Sequence, residues 1–322
     1  MTNRSESLEE VTERRQSKRQ TMPPRAWWEV AQFAHIVASV GEDLPSTYQE
    51  AMESDNASKW KDACESEIKS LLDNKTWDVV ELPQGRKAIG CKWVFKVKEK
   101  ADGSIDKYKA RLVAKGYSQT FGIDYEETFT PVAKFTSIRV LLSLAAKHNL
   151  ELQQMDVNTA FLNSDLDEDI YMEIPMGLND HKNPGLSKPV LKLKKSLYGL
   201  KQAPRLWNQT IDGFMLSIGF VKSKADHCIY IKRQDEDIIL VSLYVDDLIL
   251  ASNSDEMMQT TKIALSKRFK MTDLGPLSYC LGIEIVRSPS GSVFIHQSKF
   301  LKSVLTKFYM QDSKKVHVPN NR

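Results

Sequence analysis

The feature that most constrains the fold is a pair of apolar segments interrupted by charge, at residues 238–252. The sequence there reads IILVSLY, then Val-Asp-Asp, then LILAS. Two apolar runs of this length around a short polar turn predict two buried β-strands that form a hairpin. Asp246 and Asp247 are adjacent in it, and two carboxylates about 4 Å apart repel by roughly 4 kcal/mol at an effective dielectric near 20. We therefore expect a cation or strong hydrogen-bond donors to face them.

A third carboxylate, Asp156, also ends an apolar strand, since Met155 and Val157 flank it. If the two strands lie side by side, three carboxylates come together. Hard oxygen ligands without His or Cys suit Mg²⁺ or Mn²⁺ rather than zinc. Two such ions, about 3.5–4 Å apart, can activate an attacking hydroxyl and stabilise a leaving pyrophosphate. The alternative is that Asp246-Asp247 is simply a polar hairpin turn.

Other acidic and metal-type residues are assigned structural roles. We expect four acids to lie in a solvated turn after the Asp156 strand, because they lack apolar flanks: Asp165, Asp167, Glu168 and Asp169. The run Asp226-His227-Cys228 is expected to be structural rather than metal-binding. The cysteines are far apart and never form CxxC, which favours a reducing compartment.

Charge is strongly segregated along the chain, although 45 Lys+Arg against 42 Asp+Glu leave a net charge of only +3. Residues 85–122 hold ten basic residues and three acids, and residues 186–207 hold six basic residues and no acid. Residues 149–180 and 234–261 hold eight and seven acids respectively, and no Lys or Arg. Basic stripes suit a polyanion and clustered carboxylates suit a divalent metal, so the combination suggests phosphate chemistry. Solvated charged surfaces are the alternative.

One basic block has the pattern of a hairpin with two different faces. Strands are predicted at 92–98 and 105–114, around a turn at 101–104. Apolar side chains alternate with basic ones in both strands, which places the basic residues on one face. Like charges on paired strands repel, so an anionic partner is the better explanation than solubility alone.

The rest of the chain alternates between helical and extended patterns. Helices are predicted at 46–72 with Ser46 as cap, 136–148 with Ser137 as cap, 204–217, 255–269 and 298–310. The last helix should direct Leu301, Val304, Leu305 and Phe308 inward. Strands are predicted at 150–157 and 279–286, and a hairpin around 289–291. Residues 1–45 are polar and irregular, which predicts a disordered basic linker or tail. No run of 18 apolar residues is present, and the polar first ten residues lead us to expect no secretory signal.

Five motifs in order resemble the reverse transcriptase of copia-type LTR retrotransposons. They are KYKARLVAKGYSQ (107–119), QMDVNTAFL (154–162), SLYGLKQAPRLW (196–207), YVDD (244–247) and YCLGIEI (279–285). The resemblance implies an α+β fold, a right-hand polymerase with palm, fingers and a truncated thumb. It implies a reverse transcriptase domain over 46–322, with fingers and palm interleaved at about 58–285 and a partial thumb at 286–322. No ribonuclease H region follows within the 322 residues.

The resemblance also implies roles for particular residues. Asp156, Asp246 and Asp247 would be catalytic and, with the Val157 carbonyl, would hold two Mg²⁺ ions, Mn²⁺ being possible. Phe161 would lie under the sugar and exclude a 2′-hydroxyl. The full implied nucleotide-binding set is Lys109, Arg111, Ala160, Phe161, Lys201 and Gln202. The implied nucleic-acid-binding set is Lys96, Lys98, Lys107, Tyr198, Gly199, Tyr244 and Gly282, with Gly199 serving close backbone approach.

The implied activity is RNA-directed DNA polymerisation, in which a primer 3′-hydroxyl attacks the α-phosphate of a dNTP. Its partners would be an RNA or DNA template with primer and dNTPs, with no membrane involved. The expected location is the cytoplasm, within element-encoded particles if the element is intact. Two alternatives stay open: a catalytically inactive nucleic-acid-binding remnant, and a metal-dependent nuclease that shares only the clustered acids.

Overall fold

The computed structural model describes residues 44–99, 105–178 and 185–313. The predicted tail, apart from its last two residues, the turn at 101–104 and the end of the predicted thumb from residue 314 lie outside the described residues. Within the described part, no helix combines the length and hydropathy needed to cross a membrane.

The helices and strands follow in chain order. The described helices are α1 Tyr48–Glu53, α2 Ala57–Asp73, α3 Phe135–Lys147, α4 Ala203–Ser217, α5 Asp255–Arg268 and α6 Ser298–Lys307. The strands are β1 Trp77–Glu81, β2 Cys91–Glu99, β3 Ile105–Ala114, β4 Glu151–Val157, β5 Asp165–Met172, β6 Pro189–Lys195, β7 Val221–Lys222, β8 Ile229–Gln234, β9 Asp237–Tyr244, β10 Asp247–Ser252, β11 Met271–Pro276, β12 Tyr279–Cys280, β13 Ile283–Arg287 and β14 Val293–His296. Short 3₁₀ turns lie at Gly116–Ser118 and Ala160–Asn163.

A six-stranded sheet in the order β11-β4-β10-β9-β8-β7 forms the centre of the fold. Three smaller sheets accompany it: β1-β6-β5, β12-β13-β14 and the two-stranded β2-β3. The pairings between these strands are antiparallel. Antiparallel sheets with helices packed on them place the chain in the α+β class.

The central sheet is covered on both faces, which explains why its middle strands are continuously apolar. In β10, Leu248 and Leu250 join one core cluster, which also contains Trp207 of α4. Ile249 and Ala251, on the opposite face, join a second cluster with α3 and β13. Since successive strand residues alternate between faces, a strand buried on both sides has no polar face.

The helix predictions were right about existence and wrong at several boundaries. The segment 46–72 forms two helices, because residues 54–56 (Ser-Asp-Asn) are turn formers that compete with helical hydrogen bonding. The hydroxyl of Thr47, not that of Ser46, accepts from Glu50 N at the start of α1. Ser137 lies inside the first turn of α3, whose N-cap is Lys134.

Two further expectations need correction. Residues 279–286 form two strands rather than one, since Leu281 and Gly282 both have positive φ (+49° and +82°) and turn the chain. Both central residues at positive φ is the pattern of a type I′ hairpin turn. The apolar side chains of the last helix do not point into a core. Leu301 and Phe308 are 60% and 64% exposed, because no described part of the chain covers that side of α6.

Candidate active site

The tight turn between β9 and β10 presents two of the three predicted catalytic carboxylates. Tyr244 pairs with Asp247, so Val245 and Asp246 form a two-residue loop. Val245 has φ +57°, whereas Asp246 does not have a positive φ. This is the pattern of a type II′ turn, whose first central position is normally glycine. A β-branched side chain there is strained, and such strain persists only where surrounding contacts impose it.

The third carboxylate lies on the adjacent strand. Asp156 of β4 is directly opposite Asp247 of β10, and the Val157 N–H donates to the Asp246 carbonyl at 2.8 Å. The predicted adjacency of the two apolar strands is therefore confirmed. The pairing joins segments 91 positions apart in the chain, so that three carboxylates meet at one end of the central sheet.

The local environment leaves this negative charge poorly compensated. Burial, together with the carboxylates of Asp246 and Asp156, raises the pKa of Asp247 to about 6. The Gln154 side chain donates to Asp247 at 3.2 Å and opposes this shift. Burial and Asp246 also raise the pKa of Asp156 above its ordinary value. A site that holds carboxylates against their own repulsion is a candidate functional site.

The donor set fits a hard divalent cation in its chemistry. Carboxylate oxygens are the ligands that Mg²⁺ and Mn²⁺ prefer, and an added cation would relieve the repulsion that raises these pKa values. In the described residues, no three Asp, Glu, His or Cys side chains are already grouped tightly enough to hold a metal ion. The three carboxylates are therefore neighbours rather than a closed ligand shell.

The basic hairpin, formed by β2 and β3, faces these carboxylates. Lys109, Lys98 and Arg111 all lower the pKa of Asp156, so their charges are close enough to act on it. Lys96 pairs with Lys109 across the strands, and Lys98 pairs with Lys107. Burial, Arg111 and Lys98 lower the pKa of Lys109. None of these five cations forms a salt bridge within the part of the chain that the structure describes. Lys109 and Arg111 also interact electrostatically with the carboxylate of Glu67.

The second basic block is used differently. Its strand β6 lies between β1 and β5, and its lysines pair with Asp169, Asp78 and Asp165, each at 2.7 Å. Lys192, Lys194 and Lys195 therefore each have an acidic partner within the chain, and the expectation that this block serves a polyanion stays a prediction. The acids at 165–169 belong to strand β5 rather than a solvated turn, because pairing with β6 places lysines beside two of them.

An aromatic and cationic cluster adjoins the carboxylates. The Phe161 ring packs edge-on against Tyr198 at 4.6 Å, and the Arg111 guanidinium lies over the Tyr198 ring at 4.6 Å. The pKa of Tyr198 is raised to about 12, chiefly by burial; Arg111 opposes this increase, and the carboxylates of Asp246, Glu67 and Asp156 contribute to it. Phe161 is buried and belongs to the main core cluster, and the Ala160 methyl beside it is fully buried.

Gly199 lies at a close approach between two backbone segments of the chain, and its predicted contact with nucleic acid stays a prediction. A Cβ added there would lie 2.1 Å from the Ala114 carbonyl oxygen, and Gly199 has φ +94°. Across the same contact, a Cβ on Gly116 would lie 2.0 Å from the Gly199 oxygen, and Ala114 N donates to Tyr198 O. This contact ties the end of the basic hairpin to the loop before α4.

The other predicted contact residues lie around this centre. Lys201 Nζ bonds the Tyr125 hydroxyl at 3.0 Å, and buried Gln202 donates to the Asp124 carbonyl at 2.8 Å. Both therefore anchor the loop after the basic hairpin, and their nucleotide contacts stay predictions. Gly282 is a turn glycine with open space around it. Tyr244 packs against the cluster that contains Cys280 of the β12–β13 hairpin.

Three neighbours of the site were not identified from the sequence. Gln154 bonds Asp247, the Trp207 indole bonds the Val245 carbonyl, and Glu67 accepts from Leu112 N in the basic hairpin. Only Gln154 had a local signal, since an amide in an otherwise apolar strand needs a partner. Trp207 fits the apolar pattern of α4 and Glu67 fits the polar pattern of α2, so neither residue carried a local signal of its contact with the site.

Comparison with known proteins decides the family. A family model described as "Reverse transcriptase (RNA-dependent DNA polymerase)" matches residues 74–322. The chain belongs to this reverse transcriptase family. It is 44% identical, over 85% of its length, to the retrovirus-related Pol polyprotein from transposon TNT 1-94 of Nicotiana tabacum. It is 40% identical, over 89% of its length, to that from transposon RE1 of Arabidopsis thaliana, and 30% identical, over 82%, to the transposon Ty1-ER2 Gag-Pol polyprotein of Saccharomyces cerevisiae.

These relatives are much longer proteins. The matched region is 21% of the first polyprotein, 19% of the second and 14% of the third. The chain thus spans about a fifth or less of each relative. Its match to the plant transposon proteins confirms the resemblance to the copia-type reverse transcriptase family drawn from the five motifs.

Proposed function

We propose that the chain is an RNA-directed DNA polymerase that adds dNTPs to a primer 3′-hydroxyl. One observation carries the proposal: Asp156 lies opposite Asp247, beside the Asp246 turn, and Lys109, Lys98 and Arg111 of the basic hairpin are close enough to lower the pKa of Asp156. Negative charge for a metal and positive charge for phosphates are thus juxtaposed in one place. Family membership supports the same activity.

The carboxylates would hold the catalytic metal. Asp156, Asp246 and Asp247, with the Val157 carbonyl, would bind two Mg²⁺ ions. When bound, such ions supply Lewis-acid activation of the attacking hydroxyl and neutralise charge on the leaving pyrophosphate. The protein's own contribution is to hold the three carboxylates on two paired strands and on the turn between β9 and β10, so that little reorganisation is needed during the reaction.

The surrounding elements would bind the substrates. Arg111 and Lys109 would grip the triphosphate, because Arg offers bidentate donors and Lys a point charge. Phe161 would lie under the sugar and disfavour a 2′-hydroxyl. In this proposal the central sheet is the palm, the basic hairpin belongs to the fingers, and the β12–β13 turn at 281–282 grips the primer before a partial thumb from residue 286.

The test is primer extension on poly(rA)/oligo(dT) with Mg²⁺ or Mn²⁺. We expect dTTP to be incorporated on the RNA template. The Phe161→Ala variant should incorporate UTP better relative to dTTP than the wild-type chain does. An unchanged UTP/dTTP ratio would contradict the sugar assignment while leaving the polymerase proposal intact.

The same reagents separate the two other functions. Salt-dependent binding to primer–template without extension would indicate an inactive nucleic-acid-binding protein. Cleavage of the nucleic acid in the absence of dNTPs would indicate a nuclease. Either result, in a chain whose fold is intact by circular dichroism, would contradict the proposal.

A further inference from the structure

The Val245–Asp246 turn needs an external restraint. Val245 occupies a backbone conformation that β-branched residues avoid, with φ +57°. A strained turn left to itself relaxes, and relaxation here would move the carboxylates of Asp246 and Asp247. Something in the surrounding structure must therefore favour the strained form.

The indole of Trp207 provides a contact of this kind. Trp207 lies in α4 and is 2% exposed, and its Nε1–H donates to the Val245 carbonyl oxygen at 2.7 Å. The N–H is the side chain's only donor, so leaving it unpaired in the core would be unfavourable. The bond holds the carbonyl at the strained residue itself.

Packing fixes the indole in this orientation. Its ring meets the Phe269 ring edge-on at 5.3 Å. The Phe269 ring in turn meets edge-on, also at 5.3 Å, the ring of Phe214, which lies in α4 like Trp207. On the other side of the turn, the Val157 N–H holds the next carbonyl, that of Asp246. Two consecutive carbonyls are thus held by two separate elements, α4 and β4.

We propose that Trp207 is a positioning residue, whose indole N–H holds the Val245–Asp246 turn so that Asp246 and Asp247 stay beside Asp156. The inference rests on the proposed function for its effect on catalysis. This role differs from that of an ordinary core residue, because the position of the turn is assigned to the hydrogen bond of one N–H group rather than to the volume of the tryptophan ring.

The first test compares kinetic constants. Trp207→Phe removes the N–H and keeps an aromatic ring, and Trp77→Phe is the control because Trp77 is a buried tryptophan of β1 in the three-stranded sheet. We expect kcat for dTTP incorporation to fall about tenfold or more in Trp207→Phe, as for other residues that orient metal ligands. The KM for dTTP should stay the same, and Trp77→Phe should retain the wild-type kcat.

A sulfur analogue separates the bond from the ring. Incorporation of 3-benzothienylalanine at position 207 keeps the bicyclic shape and removes only the donor. The proposal expects this variant to lose kcat as Trp207→Phe does. Wild-type kcat in the analogue would overturn the proposal, since the ring alone would then be sufficient.

A second readout does not depend on polymerisation. Amide hydrogen exchange should be faster in the peptides covering 153–160 and 241–248 of Trp207→Phe, and unchanged there in Trp77→Phe. Protection equal to wild type would overturn the positioning role. A chain that extends no primer but shows this exchange difference would refute the proposed function and keep the inference about the turn.

Discussion

Asp226 and Asp247 show how the hydrogen-bond donors around a carboxylate set the direction of its pKa shift. Asp226 accepts from the backbone N–H groups of Lys134 at 2.9 Å and Cys228 at 3.0 Å. Although burial acts to raise its pKa, these bonds and one from Ser137 hold that pKa below the ordinary value. Asp247 has one side-chain donor, and its pKa is raised. The hydrogen bonds to the first carboxylate are therefore supplied by the protein, as the prediction of a structural role requires, whereas the negative charge of the second is poorly compensated.

Asp226→Asn should destabilise the fold by about 1–2 kcal/mol at pH 7, because it weakens charge-assisted hydrogen bonds. The folded pKa is lowered, so the stabilisation is fully present above the unfolded pKa of about 3.9 and is lost as pH falls through the folded pKa. Urea unfolding at several pH values measures this. The exposed Asp55→Asn is the control, and a difference between Asp226→Asn and wild type that persists unchanged at the lowest pH would contradict the account.

Gly199→Ala should destabilise the chain by roughly 3 kcal/mol, because its Cβ would overlap the Ala114 carbonyl at a positive φ. Gly213→Ala is a control of opposite sign. Gly213 lies in α4 with nothing within 4 Å of an added Cβ, so alanine should stabilise by about 0.5–1 kcal/mol. Thermal unfolding of both variants measures these changes in stability. A Gly199→Ala chain as stable as wild type would contradict the requirement for glycine at position 199.

At the scale of elements, the two basic blocks of the sequence have different surroundings in the structure. The first forms the β2–β3 hairpin, and the second includes β6, whose lysines form salt bridges. The period-2 pattern correctly predicted β2 and β3 and their two faces, because that pattern is local. The partners of β6 could not be predicted in the same way. Its lysines meet acids of β1 and β5 that lie elsewhere in the chain, and only the sheet order brings them together. Composition alone treated both basic blocks as polyanion-binding.

Lys96→Gln and Lys109→Gln should each reduce the salt dependence of primer–template binding by about one counterion, if those side chains contact phosphates. Lys194→Gln should leave it unchanged, because Lys194 is paired with Asp78 at 2.7 Å. Titrations of labelled primer–template at several salt concentrations give the slopes. Equal slopes in all three variants would contradict the division between free and paired basic residues.

At the scale of the whole molecule, the sequence singled out three carboxylates and suggested that their strands could lie side by side, but it did not predict the strand order around them. The acidity and apolar flanks of Asp156, Asp246 and Asp247 marked them individually. The strand order β11-β4-β10-β9 and the restraint from α4 depend on contacts between distant segments, for which a single sequence has no local signal. The uncovered apolar side of α6 was missed for the same reason, since periodicity shows which face is apolar and not what covers it.

The most direct test of the central claim is single-nucleotide incorporation by Asp246→Asn, measured on an RNA template under single-turnover conditions. Asp167→Asn is the matched control, because Asp167 is exposed in β5. We expect Asp246→Asn to incorporate dTTP roughly 100-fold more slowly or worse, the size of effect seen when one preorganised electrostatic group is lost. Asp167→Asn should match wild type. Wild-type incorporation by Asp246→Asn would contradict the assignment of the three carboxylates as the polymerase active site.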